Sequence, residues 1–265
     1  MTITRFRELH QGETFVMPNP WDRGSAKILY GLGFEALATT SAGHAHTLGR
    51  NDGERAVTRA EALRHAAEVV NATSLPVNGD LERGYGDSPE DVALTIQAAI
   101  AVGLAGCSIE DATGDPDRPI YDVGLAVERI TAAVEACGGT GFVLTARAEN
   151  LLHGIDDMAD TVDRLQRFAD AGAEVVYAPG LANIEAVTAV TGSVDCWVNV
   201  LARPDLTVAQ LAEAGVTRIS LGSAMSRAAL GSLLEAGREV LSEGTFTFAA
   251  EAPGFSRIQA LFSKT

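Results

Sequence analysis

Short β-branched or apolar runs alternate along the chain with Ala-rich stretches whose apolar residues recur at helical spacing, the pattern of repeated βα units. The apolar runs predict eight strands, at 14–18, 35–40, 75–79, 105–109, 141–146, 174–178, 196–200 and 217–221. Helices are expected near 22–32, 58–71, 89–102, 123–137, 156–171, 182–190, 207–214 and 223–242. Start signals support them: Thr58 has Glu61 three residues on, Ser88 precedes Pro89, and Asp156 or Asp157 opens the fifth helix. Stops recur as one device, in which Gly33, Gly103, Gly172 or Gly215 ends a helix and a strand follows at once. Eight units in 265 residues give about 33 residues each. No Pro/Gly/Ser-rich linker interrupts them, so an α/β chain closed as one (β/α)8 TIM barrel over residues 1–243 is the expected fold. An open doubly wound sheet is the runner-up, weakened because no strand leads into GxGxxG or a Walker A sequence. Residues 244–265 form a helical tail with Phe255, Ile258, Leu261 and Phe262 at helical spacing. Such a stripe needs a partner surface, on the barrel or on another subunit.

Composition narrows the function. Thirty-five acidic against 20 basic side chains give a net charge of -15, and no basic tract is present, so nucleic acid and anionic membrane surfaces are excluded as default partners. The first residues hold no apolar signal-type stretch, and no run approaches the roughly 20 apolar residues of a membrane span. A soluble, cytoplasmic chain is expected. Cys107, Cys137 and Cys196 are scattered and form neither a disulfide framework nor a zinc motif; Cys107 and Cys196 lie in strands and read as small core residues.

In such a barrel the chemistry gathers where strands end. Asp52, Asp80, Glu82 and Glu110 follow consecutive strands and converge on one mouth. Like charges held together raise one another's pKa, and a hard divalent cation on all-oxygen ligands resolves the conflict: Mg2+, with Mn2+ as an alternative. The competing account makes them helix caps or solvated loop acids. Arg147, directly after the fifth strand, either pairs with Glu149 or clamps a substrate carboxylate or phosphoryl group. Ser41, Ala42 and Gly43 offer backbone N–H groups and a hydroxyl to the same anion, unless Ser41 caps a helix, and Asn199 ends the seventh strand. The GYGD stretch at 84–87 is either a mobile closure or a turn.

The ordered set NPWD (19–22), GFEALATTSAG (33–43), DGE (52–54), GDLERGYGD (79–87), SIED (108–111), TARAEN (145–150), WVNVL (197–201) and RISLG (218–222) resembles the isocitrate lyase/phosphoenolpyruvate mutase superfamily nearly end to end. The resemblance implies a magnesium-dependent barrel acting on small 2-oxo or 2-hydroxy carboxylates and phosphonates, commonly a tetramer that exchanges its terminal helix. Asp80 then resembles the direct metal ligand, and Asp52, Glu82 and Glu110 resemble ligands acting through water. Ser41, Gly43 and Arg147 resemble the carboxylate contacts. Loop 111–122, ATGDPDRPIYD after Asp111, departs from the Lys-Lys-Cys-Gly-His of isocitrate and methylisocitrate lyases and from the Lys- and Asn-containing gate of phosphonate mutases. It is similar instead to the mutase-like, carboxyphosphonoenolpyruvate-mutase-like branch, some of whose members act as oxaloacetate decarboxylases. A second departure is Glu82, where the family often has Asp. The implied activity is a lyase cleaving a C–C bond beside a 2-oxo or 2-hydroxy group of a small di- or tricarboxylate through an enolate. Glu110 and Arg147 belong to its catalytic set, and Tyr121 and His44 are alternative proton donors. Phosphonate P–C chemistry and a non-catalytic 2-oxo-acid-binding barrel are the alternatives. The partners implied are a small anionic carboxylate and further copies of the chain, as a dimer or tetramer.

Overall fold

The computed structural model describes residues 2–53 and 56–263; Glu54 of the DGE motif and the last two tail residues lie outside them. The eight expected strands form one parallel sheet: β1 (Phe15–Met17), β2 (Leu37–Ala38), β3 (Val77–Asp80), β4 (Gly106–Glu110), β7 (Val143–Arg147), β8 (Val175–Tyr177), β9 (Trp197–Leu201) and β10 (Arg218–Ser220). Their order, β1-β10-β9-β8-β7-β4-β3-β2, is that of a (β/α)8 barrel. The remaining seam between β1 and β2 is bridged at its upper end. Ala38 N donates to Pro18 O at 3.0 Å, and Asn19 Nδ2 donates to Thr39 O at 2.8 Å. Asn19 Oδ1 also accepts from Leu221 N at 2.9 Å, so this one side chain of the NPWD motif ties the ends of the first, second and last barrel strands together.

The helices α2 (Arg23–Leu32), α4 (Arg59–Val70), α5 (Pro89–Ala101), α6 (Val123–Cys137), α7 (Met158–Asp170), α8 (Ile184–Thr191), α9 (Val208–Glu213) and α10 (Ala224–Ser242) follow these strands in turn. Thr58 and Glu61 exchange side-chain-to-backbone bonds, as do Ser88 and Asp91, with Pro89 at the first position of α5. Asp157 caps α7. Gly33, Gly103, Gly172 and Gly215 all have φ between +83° and +105°, the left-handed region that a side chain rarely adopts. The four joints therefore depend on glycine.

Three elements go beyond the sequence reading. α1 (Thr2–Gln11) lies under the barrel and buries Phe6, Leu9 and His10; two apolar residues and a histidine gave too little periodicity to reveal it. α3 (Ser41–Thr47) is a short helix after β2, and the loop after β4 folds into an antiparallel hairpin, β5 (Ala112–Asp115) with β6 (Arg118–Ile120). In the tail, a 3-10 turn (Thr247–Ala250) leads to α11 (Phe255–Phe262), which lies against α2 of the same chain. Leu261 packs so closely there that a Cβ on Gly31 would come within 2.9 Å of it. No described helix is long and apolar enough to cross a membrane.

The barrel floor holds a buried cation. Arg218 is 1% exposed and gives hydrogen bonds to Asn199 Oδ1 (2.8 Å), Thr145 Oγ1 (2.9 Å) and His10 Nε2 (3.2 Å). A guanidinium can only donate, so His10 Nε2 accepts and the ring proton sits on Nδ1, which gives to Phe6 O at 2.7 Å. Burial, and then the Arg218 charge, push the His10 pKa down to about 3. Because the folded value lies below the unfolded ~6.5, the stability linked to His10 is complete above that pH and is lost as pH falls toward 3. The advantage of wild type over His10→Gln in urea unfolding should therefore shrink below pH 6.5, by up to about 1.4 kcal/mol per pH unit. An advantage independent of pH would show that the ring is protonated in place.

Candidate active site

The barrel mouth is built on strand ends. β3 ends in Asp80, β4 in Glu110, β7 in Arg147 and β8 in Tyr177. Ladder pairing places Glu110 beside Arg147, Arg147 beside Tyr177, and Tyr177 beside Asn199. With Asn19, Asn78, Ser108, Arg218 and Ser220, most of them line a cavity of about 50 Å3 inside the barrel.

Arg147 organises the acids. Its NH1 lies 3.0 Å from Asp80 Oδ1, its NH2 3.4 Å from Glu110 Oε2, and its Nε gives to Glu149 Oε1 at 2.8 Å. Both expected roles of Arg147 thus begin from one position: it pairs with Glu149 and also stands at the cavity. Burial raises the Glu110 pKa well above the usual carboxylate range; Arg147 opposes this, while Glu149, Asp80 and Glu82 add to it. Three carboxylates around one guanidinium, with Glu82 acting on Glu110 from nearby, leave an excess of negative charge. Asp52 lies on the exposed loop after α3, where partial desolvation and then the Asp80 charge raise its pKa.

The loop after β3 sets the geometry of this group. Glu82 and Tyr85 adopt φ of +49° and +59°, strained values for residues with side chains. The strain is held by other elements: Arg129 of α6 gives to Gly86 O at 2.9 Å and also to the carbonyls of Arg83 and Asp87, and Thr95 Oγ1 gives to Gly84 O at 2.6 Å. GYGD is therefore a clamped turn. Behind Glu110, buried Asp111 accepts from Glu149 N (2.8 Å) and Arg164 (3.0 Å), which fixes the start of the loop after β7.

The anion loop differs in detail from expectation. Thr40, not Ser41, caps α3, its Oγ1 accepting from Gly43 N at 3.2 Å. Ser41 N gives to Asp80 Oδ2 at 2.9 Å. A Cβ on Gly43 would stand 2.5 Å from Thr40 Cγ2, so glycine is required there for packing. Ala42 is half-buried beside them.

Neither expected proton donor lines the main cavity. The Tyr121 hydroxyl gives to Asp87 Oδ1 at 2.7 Å, and the Arg129 guanidinium sits 4.4 Å from its ring centroid, so Tyr121 ties the hairpin loop to the clamped turn. His44 stacks on His65 with centroids 4.0 Å apart and faces a separate niche beside Asp80, Glu82 and Tyr85. Burial, then His65, push its pKa down to about 4, so it is neutral near pH 7. The sequence reading missed Tyr177, Arg129, Arg218 and Asn78. Tyr177 obeys the strand-end rule that found Arg147; the others carry no local signal, because their partners lie far along the chain.

Among the described residues no three His, Cys, Asp or Glu side chains converge closely enough to cage a metal. The donor set is all oxygen, with Asp80 at its centre and an unbalanced negative charge around it. That fits a hard cation which keeps most of its waters, as Mg2+ does, and does not fit an all-protein cage.

Comparison with known proteins agrees with this geometry. A Burkholderia cenocepacia structure provisionally described as a lyase/mutase superposes with a TM-score of 0.95 at 47% identity, covering 99% of this chain and 95% of that one. An uncharacterised Mycobacterium tuberculosis protein is 35% identical over 89% of this chain and 88% of its own length. The structure of 2,3-dimethylmalate lyase gives a TM-score of 0.87 at 26% identity, over 98% and 94% of the two chains. Members of the superfamily include methylisocitrate lyase, dimethylmalate lyase, oxaloacetate decarboxylase and phosphonomutase, and are generally dependent on a divalent metal. With residues 6–241 matching the phosphoenolpyruvate phosphomutase family, the chain belongs to that family, within the phosphoenolpyruvate mutase/isocitrate lyase superfamily.

Proposed function

We propose that this protein is a magnesium-dependent cytoplasmic lyase that cleaves the C–C bond beside the 2-oxo or 2-hydroxy group of a small di- or tricarboxylate, of the oxaloacetate or methylisocitrate type. The observation that carries the reading is the Arg147 guanidinium at the cavity mouth, bracketed by Asp80, Glu110 and Glu149. Asp80 would hold Mg2+ directly, and Asp52, Glu82 and Glu110 through waters, with Mn2+ an acceptable substitute. When bound, the ion supplies positive charge where negative charge develops on the substrate.

The chain's own groups do the rest. In a protein of charge -15 an anionic acid needs a local cation, and Arg147 offers its fork to the carboxylate. Ser41 N and Gly43 N give to Asp80 Oδ2 and Thr40 Oγ1, so the Ser41 hydroxyl is what that turn would offer the same group, and Asn199, whose Oδ1 is taken by Arg218 and whose Nδ2 gives one hydrogen to Ser220 Oγ, would present its other amide hydrogen to the acid's oxygens. The small cavity leaves little room for bulk water, which strengthens these interactions. Oxaloacetate, methylisocitrate, isocitrate and phosphonopyruvate, each tested with magnesium and with chelator, separate the readings. Metal-dependent cleavage of one of the first three is expected. Turnover of phosphonopyruvate alone would assign P–C chemistry, which the family match also accommodates. Metal-dependent binding without product would leave a 2-oxo-acid-binding barrel.

The working form is a homo-oligomer, a dimer or tetramer. α10 buries only Ser226, while Leu233, Leu241 and Phe255 are 68%, 90% and 81% exposed. Sedimentation should give a multiple of 27.7 kDa, reduced in Leu233→Ser/Leu241→Ser; a monomeric wild type overturns this.

A further inference from the structure

We infer that Arg218 is a second anion anchor of this cavity, placed to receive the distal carboxylate of a short dicarboxylate whose other carboxylate meets Arg147. The inference rests on the reading of the ligand as a small di- or tricarboxylate and gives its second acid group a place. Arg147 and Arg218 are the two guanidinium groups lining the one cavity, yet their charges are balanced differently. Arg147 has Asp80 Oδ1 at 3.0 Å, Glu110 Oε2 at 3.4 Å and Glu149 Oε1 at 2.7 Å. Arg218 gives its three bonds to the neutral acceptors Asn199 Oδ1, Thr145 Oγ1 and His10 Nε2, and among the described residues no carboxylate acts on it. Burial draws its pKa down to about 9, which leaves the charge in place at neutral pH.

A cation only 1% exposed and without a counter-ion is costly, and buried charges are ordinarily paired. The partner has one route of arrival. The Phe6 ring, its centroid 6.0 Å from the guanidinium carbon, backs Arg218 from α1, and Asn199, Thr145 and His10 hold its edges, which leaves the cavity as the open side. A guanidinium has five N–H groups, so the three bonds leave one on each terminal nitrogen for a carboxylate. The space is about 50 Å3, room for a few waters at ~10–15 Å3 each, and so for one carboxylate on a short arm. An acid group seated there meets the positive charge that the protein leaves unbalanced, whereas a methyl group in the same place strands it.

Succinate and butyrate decide between the two. They share a four-carbon chain and one carboxylate, differ by a carboxylate against a methyl at the far end, and lack the 2-oxo or 2-hydroxy group that cleavage needs. By calorimetry on the magnesium-loaded protein, wild type should bind succinate at least about tenfold tighter than butyrate. Arg218→Met should bring this preference to within about twofold and leave butyrate affinity nearly unchanged, since an apolar chain in place of a buried cation is often tolerated by the fold. Arg218→Lys, which keeps the charge without the fork, should retain a preference of about threefold. A crystal structure of wild type with succinate needs no variant, and should show one carboxylate at Arg218 and the other at Arg147. Succinate bound no tighter than butyrate by wild type, a tenfold preference that survives Arg218→Met, or succinate seated away from Arg218 overturns the proposal. Wild type that cleaves none of the acids defeats the C–C-cleaving reading alone, because the succinate preference is a difference in binding and still reports on Arg218.

Discussion

Asp80→Asn should abolish measurable turnover, a loss of at least ~1000-fold in kcat/KM or about 4 kcal/mol of transition-state stabilisation, while the barrel stays folded. Asp80 accepts from Ser41 N at 2.9 Å and Arg147 NH1 at 3.0 Å through different oxygens, and Ser108 Oγ approaches at 3.4 Å. The amide has one acceptor where the carboxylate has two, so its NH2 must face either the Ser41 N–H or the guanidinium, donor against donor. It is also neutral, and the cation loses the central carboxylate of its site. The thermal stabilisation that wild type gains from magnesium should therefore vanish in the variant along with activity. The folding cost is smaller, about 1–3 kcal/mol, since a single partly buried bond is left unmet. Activity within tenfold of wild type, with the magnesium-dependent shift in Tm retained, would remove Asp80 as the anchor.

The strands and the groups fixed to their ends were readable because position along a strand determines both depth and direction in a barrel. Asp80, Glu110 and Arg147 are of this kind, and they meet as expected. Tyr121 and His44 were placed by loop, and a loop residue's direction is set by what it touches. The Tyr121 hydroxyl is drawn to Asp87, 34 positions away, and its ring to Arg129; His44 is drawn to His65. None of these pairings has a local sequence signal. α1 was hidden for a related reason. It is amphipathic only if His10 counts as buried, and His10 is buried because Arg218, 208 residues on, requires an acceptor there. The floor of the barrel is thus specified by a pair that no window of sequence contains.

Arg147→Met should lose turnover about as completely as Asp80→Asn, yet bind magnesium more tightly than wild type. The guanidinium stands among the same acids that would hold the cation: it lies 3.0 Å from Asp80 Oδ1 and 3.4 Å from Glu110 Oε2, and among the described residues it opposes the effect of burial at Glu110. A cation arriving at Asp80 competes with it. Removing Arg147 leaves Glu110, Glu149 and Asp80 facing one another without compensation, which should cost the metal-free variant about 3–5 kcal/mol, the usual penalty for breaking a buried ion pair from one side. Part of that loss should be recovered when magnesium is added, since a ligand that binds only the folded state stabilises it by mass action. The gain in Tm on adding magnesium should accordingly be larger in Arg147→Met than in wild type, with calorimetry giving a Kd lowered about tenfold, or ~1.4 kcal/mol. Substrate binding moves the other way, because methionine has no fork for a carboxylate and the net field of the protein repels an anion. A variant that binds magnesium more weakly than wild type would show that Arg147 supports the metal instead of standing in for it, and that the two cations occupy the mouth together from the start.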